Sequence, residues 1–198
     1  MSVFIKICGL RDATCVAAAV EAGADAVGFV FADSVRKISP EEARKVSRGV
    51  PADVKRVAVM RHPSNERWQS VLSVFAPDVL QTDTEDFGFL EVPANIACWP
   101  VIRQGGSAGV GELPGTFVYE GQNSGAGETI DWRQARVMAD QGQMILAGGL
   151  AAGNVAAAIR TACPWGVDAS SGVESSPGQK DVELIRQFIA AVRAAEND

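Results

Sequence analysis

Val3-Phe4-Ile5-Lys6-Ile7, then Ala13, Val16, Ala17 and Val20 at helical spacing, then Ala26-Val27-Gly28-Phe29-Val30-Phe31: residues 3–31 alternate a short apolar run, an amphipathic period and a second short run. Apolar side chains at i, i+3, i+4 and i+7 share one face of a helix, whereas runs of five or six β-branched and aromatic residues suit strands. A strand, a helix and a second strand form a βαβ unit with parallel strands. The pattern repeats along the chain. Further strand runs are Val54–Val59, Val79–Gln81, Ile96–Ile102, Thr116–Glu120, Met144–Leu146 and Gly166–Asp168, making eight in all. Helical periods recur at Trp68, Val71, Leu72 and Phe75, at Val155, Ala158, Ile159 and Ala162, and at Val182, Ile185, Phe188, Ile189 and Val192. Ser39-Pro40-Glu41-Glu42 supplies an N-cap, a first-turn proline and a capping-box glutamate. Eight alternations predict a single-domain α/β fold, the closed (β/α)8 TIM barrel, spanning residues 1–198. The fourth and fifth helices are expected to be short or degenerate. Thr84–Leu90 is brief, and Arg103–Gly115 carries Gly105, Gly106, Gly109, Gly111 and Gly115.

Bulk properties narrow the function. The 198 residues are 47% apolar and 21% charged, an ordinary globular balance. A net charge of −6 provides no basic field to gather nucleic acid. No apolar stretch reaches the ~20 residues that cross a bilayer, and Met1–Gly9 has no signal-peptide pattern, so the expected location is the cytoplasm. Cys8, Cys15, Cys98 and Cys163 form no CxxC pair and are read as reduced thiols. One histidine, His62, cannot build a multi-histidine metal site or a histidine relay, so no metal is expected. Neither the glycines near Gly109 nor those near Gly125 complete a dinucleotide fingerprint, and no Walker loop occurs.

In such barrels the reacting groups lie at the C-terminal strand ends and the loops after them. Cys8 follows the first strand and precedes Gly9. An unpaired cysteine is more often a small buried hydrophobe, but this position aims its thiol at the mouth of the barrel. Glu120 ends the sixth strand as the only carboxylate closing an apolar strand, and the glycine-rich run Gly121–Gly127 after it can fold over a substrate. Asp168 ends the eighth strand and is read as a substrate-binding residue, a role compatible with the plainer one of capping the turn that follows. Gly148 and Gly149 after strand seven, with Ser170, Ser171 and Gly172 after strand eight, fit a phosphate site built from backbone N–H groups and a short extra helix. Either loop alone would be read as a tight turn.

These residues resemble the phosphoribosylanthranilate isomerase family. The matching stretches are Lys6-Ile7-Cys8-Gly9, Gly23–Phe31, Arg36-Lys37-Ile38-Ser39-Pro40, Gly125–Trp132, Ala147-Gly148-Gly149-Leu150 and Val167–Glu174, with Pro177-Gly178 and Lys180-Asp181. They occur in family order over nearly the whole chain. The resemblance implies a cofactor-free isomerase of tryptophan biosynthesis acting on N-(5'-phosphoribosyl)anthranilate by an Amadori rearrangement. It assigns Cys8 as general base, Glu120 as general acid and Arg36 as the partner of the anthranilate carboxylate. A guanidinium matches a carboxylate as a bidentate fork.

The sequence departs from the family pattern at several points. Glutamate stands where the family has aspartate, before a loop that is shorter than usual. Gln81-Thr82-Asp83-Thr84 replaces Gln-Leu-His-Gly, which removes a usual histidine. The fifth helix is also residual. To donate a proton near neutrality Glu120 needs surroundings that disfavour its charge, for which burial under the following loop and a substrate phosphate are the expected sources. Cys8 needs cationic neighbours to form a thiolate. The competing readings are a phosphosugar epimerase or synthase, for which Lys6 would be the catalytic amine; a non-catalytic phosphometabolite-binding barrel, which needs neither Cys8 nor Glu120; and a redox thiol protein, which lacks a resolving cysteine nearby in sequence.

Overall fold

The computed structural model describes residues 2–105, 115–122 and 129–196. Eight parallel strands close on themselves: β1 (Phe4–Cys8), β2 (Ala26–Val30), β3 (Lys55–Val59), β4 (Val79–Asp83), β5 (Ala97–Arg103), β6 (Thr116–Glu120), β7 (Gln143–Leu146) and β8 (Gly166–Ala169). Closure is completed by β8 against β1, where Phe4 pairs with Gly166 and Lys6 with Asp168. Every strand run read from the sequence becomes a barrel strand, with ends that differ by no more than two residues.

Except for the one at Val155–Ala162, the helices outside the ring start where a short polar side chain accepts backbone N–H groups. They are α1 (Ala13–Ala22, capped by Asp12), α2 (Pro40–Val46), α3 (Asn65–Phe75, capped by Ser64), α4 (Trp132–Ala139, capped by Asp131), α5 (Val155–Ala162) and α6 (Val182–Ala195, capped by Asp181). At α2 the capping box forms between Ser39 and Glu42 as its sequence suggests. The fourth helical position is a single 3-10 turn, Thr84–Gly88. Of the glycine-rich segment after β5, residues 106–114 lie outside the described residues. A small antiparallel hairpin, β9 (Glu174–Ser176) and β10 (Gln179–Lys180), follows β8 and was not anticipated from sequence. None of the helices among the described residues is long and apolar enough to cross a membrane.

Side chains alternate across each strand, so the barrel builds two apolar layers. Outward residues such as Ile5, Ile7 and Phe29 pack under the helices against Trp68, Phe75 and Phe188. Fully burying a side chain of this kind contributes roughly 1.5–3 kcal/mol. Inward residues Ala26, Val57, Val79, Trp99, Val101, Val118, Ile145 and Ala147 fill the lumen. Its N-terminal end is plugged by Phe4, stacked on Trp165 at 4.5 Å and meeting Trp99 edge-on at 5.7 Å. Gly166 makes this possible, because a Cβ there would lie 2.9 Å from the Phe4 backbone oxygen. The same inward rows end at the opposite rim in Cys8, Asp83, Arg103 and Glu120. One end of the barrel is therefore sealed with aromatic surface and the other is polar.

Candidate active site

Cys8 is the last residue of β1 and is buried, with its side chain on the lumen face above Lys6. Gly28 on β2 sits beside it, where a Cβ would come within 3.0 Å of the Cys8 Sγ and 3.2 Å of the Lys6 Cε. Two cations, Lys6 and Lys180, favour the thiolate as the sequence reading required. Burial outweighs them and, with Asp168 also opposing, pushes the thiol above its ordinary range.

Lys6 is fully buried. Its Nζ lies 3.0 Å from Asp168 Oδ1, a close ion contact that is off the hydrogen-bond axis. Burial works against its charge, but Asp168 and Cys8 prevail and leave the ammonium more firmly protonated than usual. Lys6 is thus a buried cation and not a neutral amine available for Schiff-base chemistry. Asp168 was expected also to cap the turn after β8. Its carboxylate points inward to Lys6 instead, and the 3-10 turn Ser171–Val173 has no side-chain cap.

Glu120 ends β6 with its side chain 14% exposed. The expectation that it is the only carboxylate closing a strand is corrected by β4, which continues through Thr82 and Asp83 because both residues keep their ladder partners on β5, Pro100 and Val101. Two acidic strand ends therefore face the rim, and Arg103 at the end of β5 lies between them. Its Nη1 donates to Glu120 Oε1 and its Nη2 to Asp83 Oδ1 at 2.5 Å. The immediate neighbour of Glu120 is a cation, Arg103, which the sequence reading of its surroundings did not include. Residues 123–128 of the loop meant to cover it lie outside the described residues.

Behind Asp83, His62 Nε2 lies 3.2 Å from Asp83 Oδ2, and His62 Nδ1 lies 3.1 Å from Asp86 Oδ1. Thr82 donates to the other Asp86 oxygen at 2.5 Å. The lone histidine, set aside from sequence for want of partners, is thus bracketed by two carboxylates. Its backbone stands at φ +43°.

Arg36 is buried and its Nε and Nη2 donate to the two oxygens of Glu174 at 2.7 and 2.9 Å. Lys180 Nζ donates to the same carboxylate at 2.6 Å and to the Ser170 carbonyl at 2.8 Å, while the Gly178 N–H adds a bond at 3.2 Å. Burial alone would raise the Glu174 carboxyl, but these donors hold it down at about 2. Glu174 and Lys180 fell within quoted motifs, yet the sequence offered no sign that they meet Arg36.

The loops after β7 and β8 touch. A Cβ on Gly172 would lie 1.9 Å from the Leu150 carbonyl oxygen, so only glycine allows this approach. Gly148 and Gly149 both have positive φ, at 102° and 59°. Asn154 ties the β7 loop by donating to the Gly149 carbonyl at 2.9 Å and accepting from Ala151 N at 2.8 Å. Gly9 also lacks room for a side chain, since a Cβ would come 2.7 Å from Arg36 Cδ and 3.2 Å from Ser170 Oγ. The loops after β1, β2, β7 and β8 therefore meet along one arc of the rim, opposite the Asp83–Arg103–Glu120 arc.

Comparison with known proteins gives one answer. The family described as N-(5'phosphoribosyl)anthranilate (PRA) isomerase matches residues 5–191. An N-(5'-phosphoribosyl)anthranilate isomerase of Listeria monocytogenes serotype 4b is 36% identical over 210 residues, covering 97% of this chain and 99% of that relative. The corresponding protein of Streptococcus gordonii is 38% identical over 193 residues, covering 96% and 97%. Among solved structures, phosphoribosyl anthranilate isomerase from Thermotoga maritima superposes with a TM-score of 0.82 at 30% identity, covering 97% of this chain and 99% of that one. A phosphoribosyl anthranilate isomerase in complex with reduced 1-(o-carboxyphenylamino)-1-deoxyribulose 5-phosphate gives 0.77 at 30% identity, with coverage of 97% and 99%.

Proposed function

We propose residue roles for a chain that belongs to the N-(5'-phosphoribosyl)anthranilate isomerase family and is an isomerase of tryptophan biosynthesis. The reaction converts N-(5'-phosphoribosyl)anthranilate to 1-(2-carboxyphenylamino)-1-deoxyribulose 5-phosphate by an Amadori rearrangement. Protonated Glu120 gives its proton to the ribose ring oxygen. The C1'–O bond breaks with its electron pair going to oxygen, and the anilino nitrogen lone pair forms the iminium. The Cys8 thiolate then takes the C2' proton, and the released pair forms the enolamine, which tautomerises to the aminoketose. The iminium acidifies C2'–H, so a base held within hydrogen-bond reach can suffice even when its thiolate is sparsely populated.

The single observation that carries this assignment is that Cys8 and Glu120 end β1 and β6 on the lumen face of the same rim, where one substrate can meet both. Arg36, braced by Glu174, is the cation for the anthranilate carboxylate. Gly148, Gly149, Ser170, Ser171 and Gly172 cradle the phosphate with backbone donors. Asp168 acts one step back, keeping Lys6 charged beneath Cys8. The whole chain works as one barrel domain. Four unpaired thiols favour a reducing compartment, the cytoplasm.

The test is the fluorescence decay of phosphoribosylanthranilate, coupled to the next enzyme. Cys8→Ala and Glu120→Gln should each lower kcat by about 10²–10⁴, the usual worth of a positioned acid or base, with circular dichroism unchanged. Wild-type turnover in either variant removes that residue from the mechanism. If the unaltered protein binds substrate without turning it over, the phosphometabolite-binding reading replaces this one.

A further inference from the structure

We propose that Arg103 is a positioning residue that makes Glu120 an effective acid, and that Asp83 holds Arg103 for that task. The proposal rests on Glu120 being the acid, as assigned above. Glu120 and Asp83 end strands separated by β5, and one side chain from β5 joins them. Arg103 Nη1 reaches Glu120 and Nη2 reaches Asp83 at 2.5 Å, with Arg103, Glu120 and Asp83 side chains only 20%, 14% and 6% exposed.

A glutamate has one more rotatable bond than an aspartate, hence more freedom to lose in a defined geometry. The guanidinium restores that definition, because its planar fork fixes both the direction and the distance of a bound carboxylate. The brace is itself anchored. Behind Asp83, which is buried, the half-exposed His62 places Nε2 3.2 Å from Oδ2 without hydrogen-bond alignment, and His62 Nδ1 is hydrogen-bonded to the buried Asp86 at 3.1 Å.

The electrostatic consequence favours the transition state. As the Glu120 proton passes to the ring oxygen, negative charge develops on the Glu120 carboxylate, and Arg103 is already in place to stabilise it. The cycle closes when the Cys8 thiol releases the C2' proton to solvent and the Glu120 carboxylate takes one up from it.

The test is a double-mutant cycle on the intact chain. Arg103→Gln should lower kcat about 10–100-fold while KM changes by less than about 3-fold, the signature of an interaction made in the transition state. In a Glu120→Gln background the same change should cost less than about 3-fold, because nothing remains for Arg103 to position. Arg103→Lys should recover part of the activity. Asp83→Asn, which leaves Arg103 and Glu120 intact, should show a smaller loss of the same kind and serves as the second probe if Arg103→Gln folds poorly. Losses that multiply independently in the double variant, or kcat unchanged in both Arg103→Gln and Asp83→Asn, overturn the proposal. A fully active Glu120→Gln would instead overturn the assignment of Glu120, a separate and distinguishable failure.

Discussion

Replacing Glu174 by glutamine should separate what a buried charge does for stability from what it does for substrate. In the native protein its carboxylate accepts two bonds from Arg36, one from Lys180 and one from the Gly178 N–H, and these hold it at about 2 despite burial. An exposed glutamate titrates near 4.3 and each unit of difference is worth about 1.4 kcal/mol, so the pair contributes about 3 kcal/mol at neutral pH. The folded value is depressed, so this stability is present above the unfolded value and is lost as pH falls through about 4 towards 2. Roughly 2 kcal/mol of it should be gone by pH 3. Glu174→Gln removes the contribution at every pH and leaves Arg36 and Lys180 without their charged partner, a loss of about 3–5 kcal/mol. Urea unfolding at pH 7 and pH 3 provides the assay. The variant should be less stable at pH 7, and its decline towards pH 3 should be shallower than that of the unaltered protein by about 2 kcal/mol. KM should also rise, because Arg36 is no longer braced. Parallel declines with pH would refute the account of Glu174, whatever happens to KM.

Two other outcomes follow from the site. Burial pushes the Cys8 thiol upward, and a base must be deprotonated, so the rising limb of kcat/KM that depends on Cys8 should lie on the alkaline side of the ordinary thiol value of about 8.5. A Cys8-dependent limb below about 8 would show that Lys6 and Lys180 win over burial. Inorganic phosphate should inhibit competitively and, in a soaked crystal, lie between the Gly148-Gly149 and Ser171-Gly172 loops. Non-competitive inhibition, or an anion found elsewhere, would count against the phosphate cradle.

The barrel and its family were legible in the sequence because the signals behind them are local. A strand run spans three to seven residues, a helical period closes within about seven, and caps such as Ser39-Pro40-Glu41-Glu42 act over four. Short motifs around Cys8, Gly148 and Ser171 likewise carry their meaning in adjacent residues. What the tertiary structure decided was which charges meet. Arg36 and Glu174 are 138 positions apart, and Arg103 joins carboxylates 17 and 20 positions away on the two strands that pair with β5; the pairing of strands distant in sequence brings these charges into contact. Asp83 was hidden for a related reason, since Asp is a weak strand former and only pairing with β5 extends β4 through it. The balance at Cys8 was hidden too. Its sequence neighbours announce a cation at Lys6, but the desolvation that outweighs that cation depends on atoms from the strands and loops enclosing the barrel mouth.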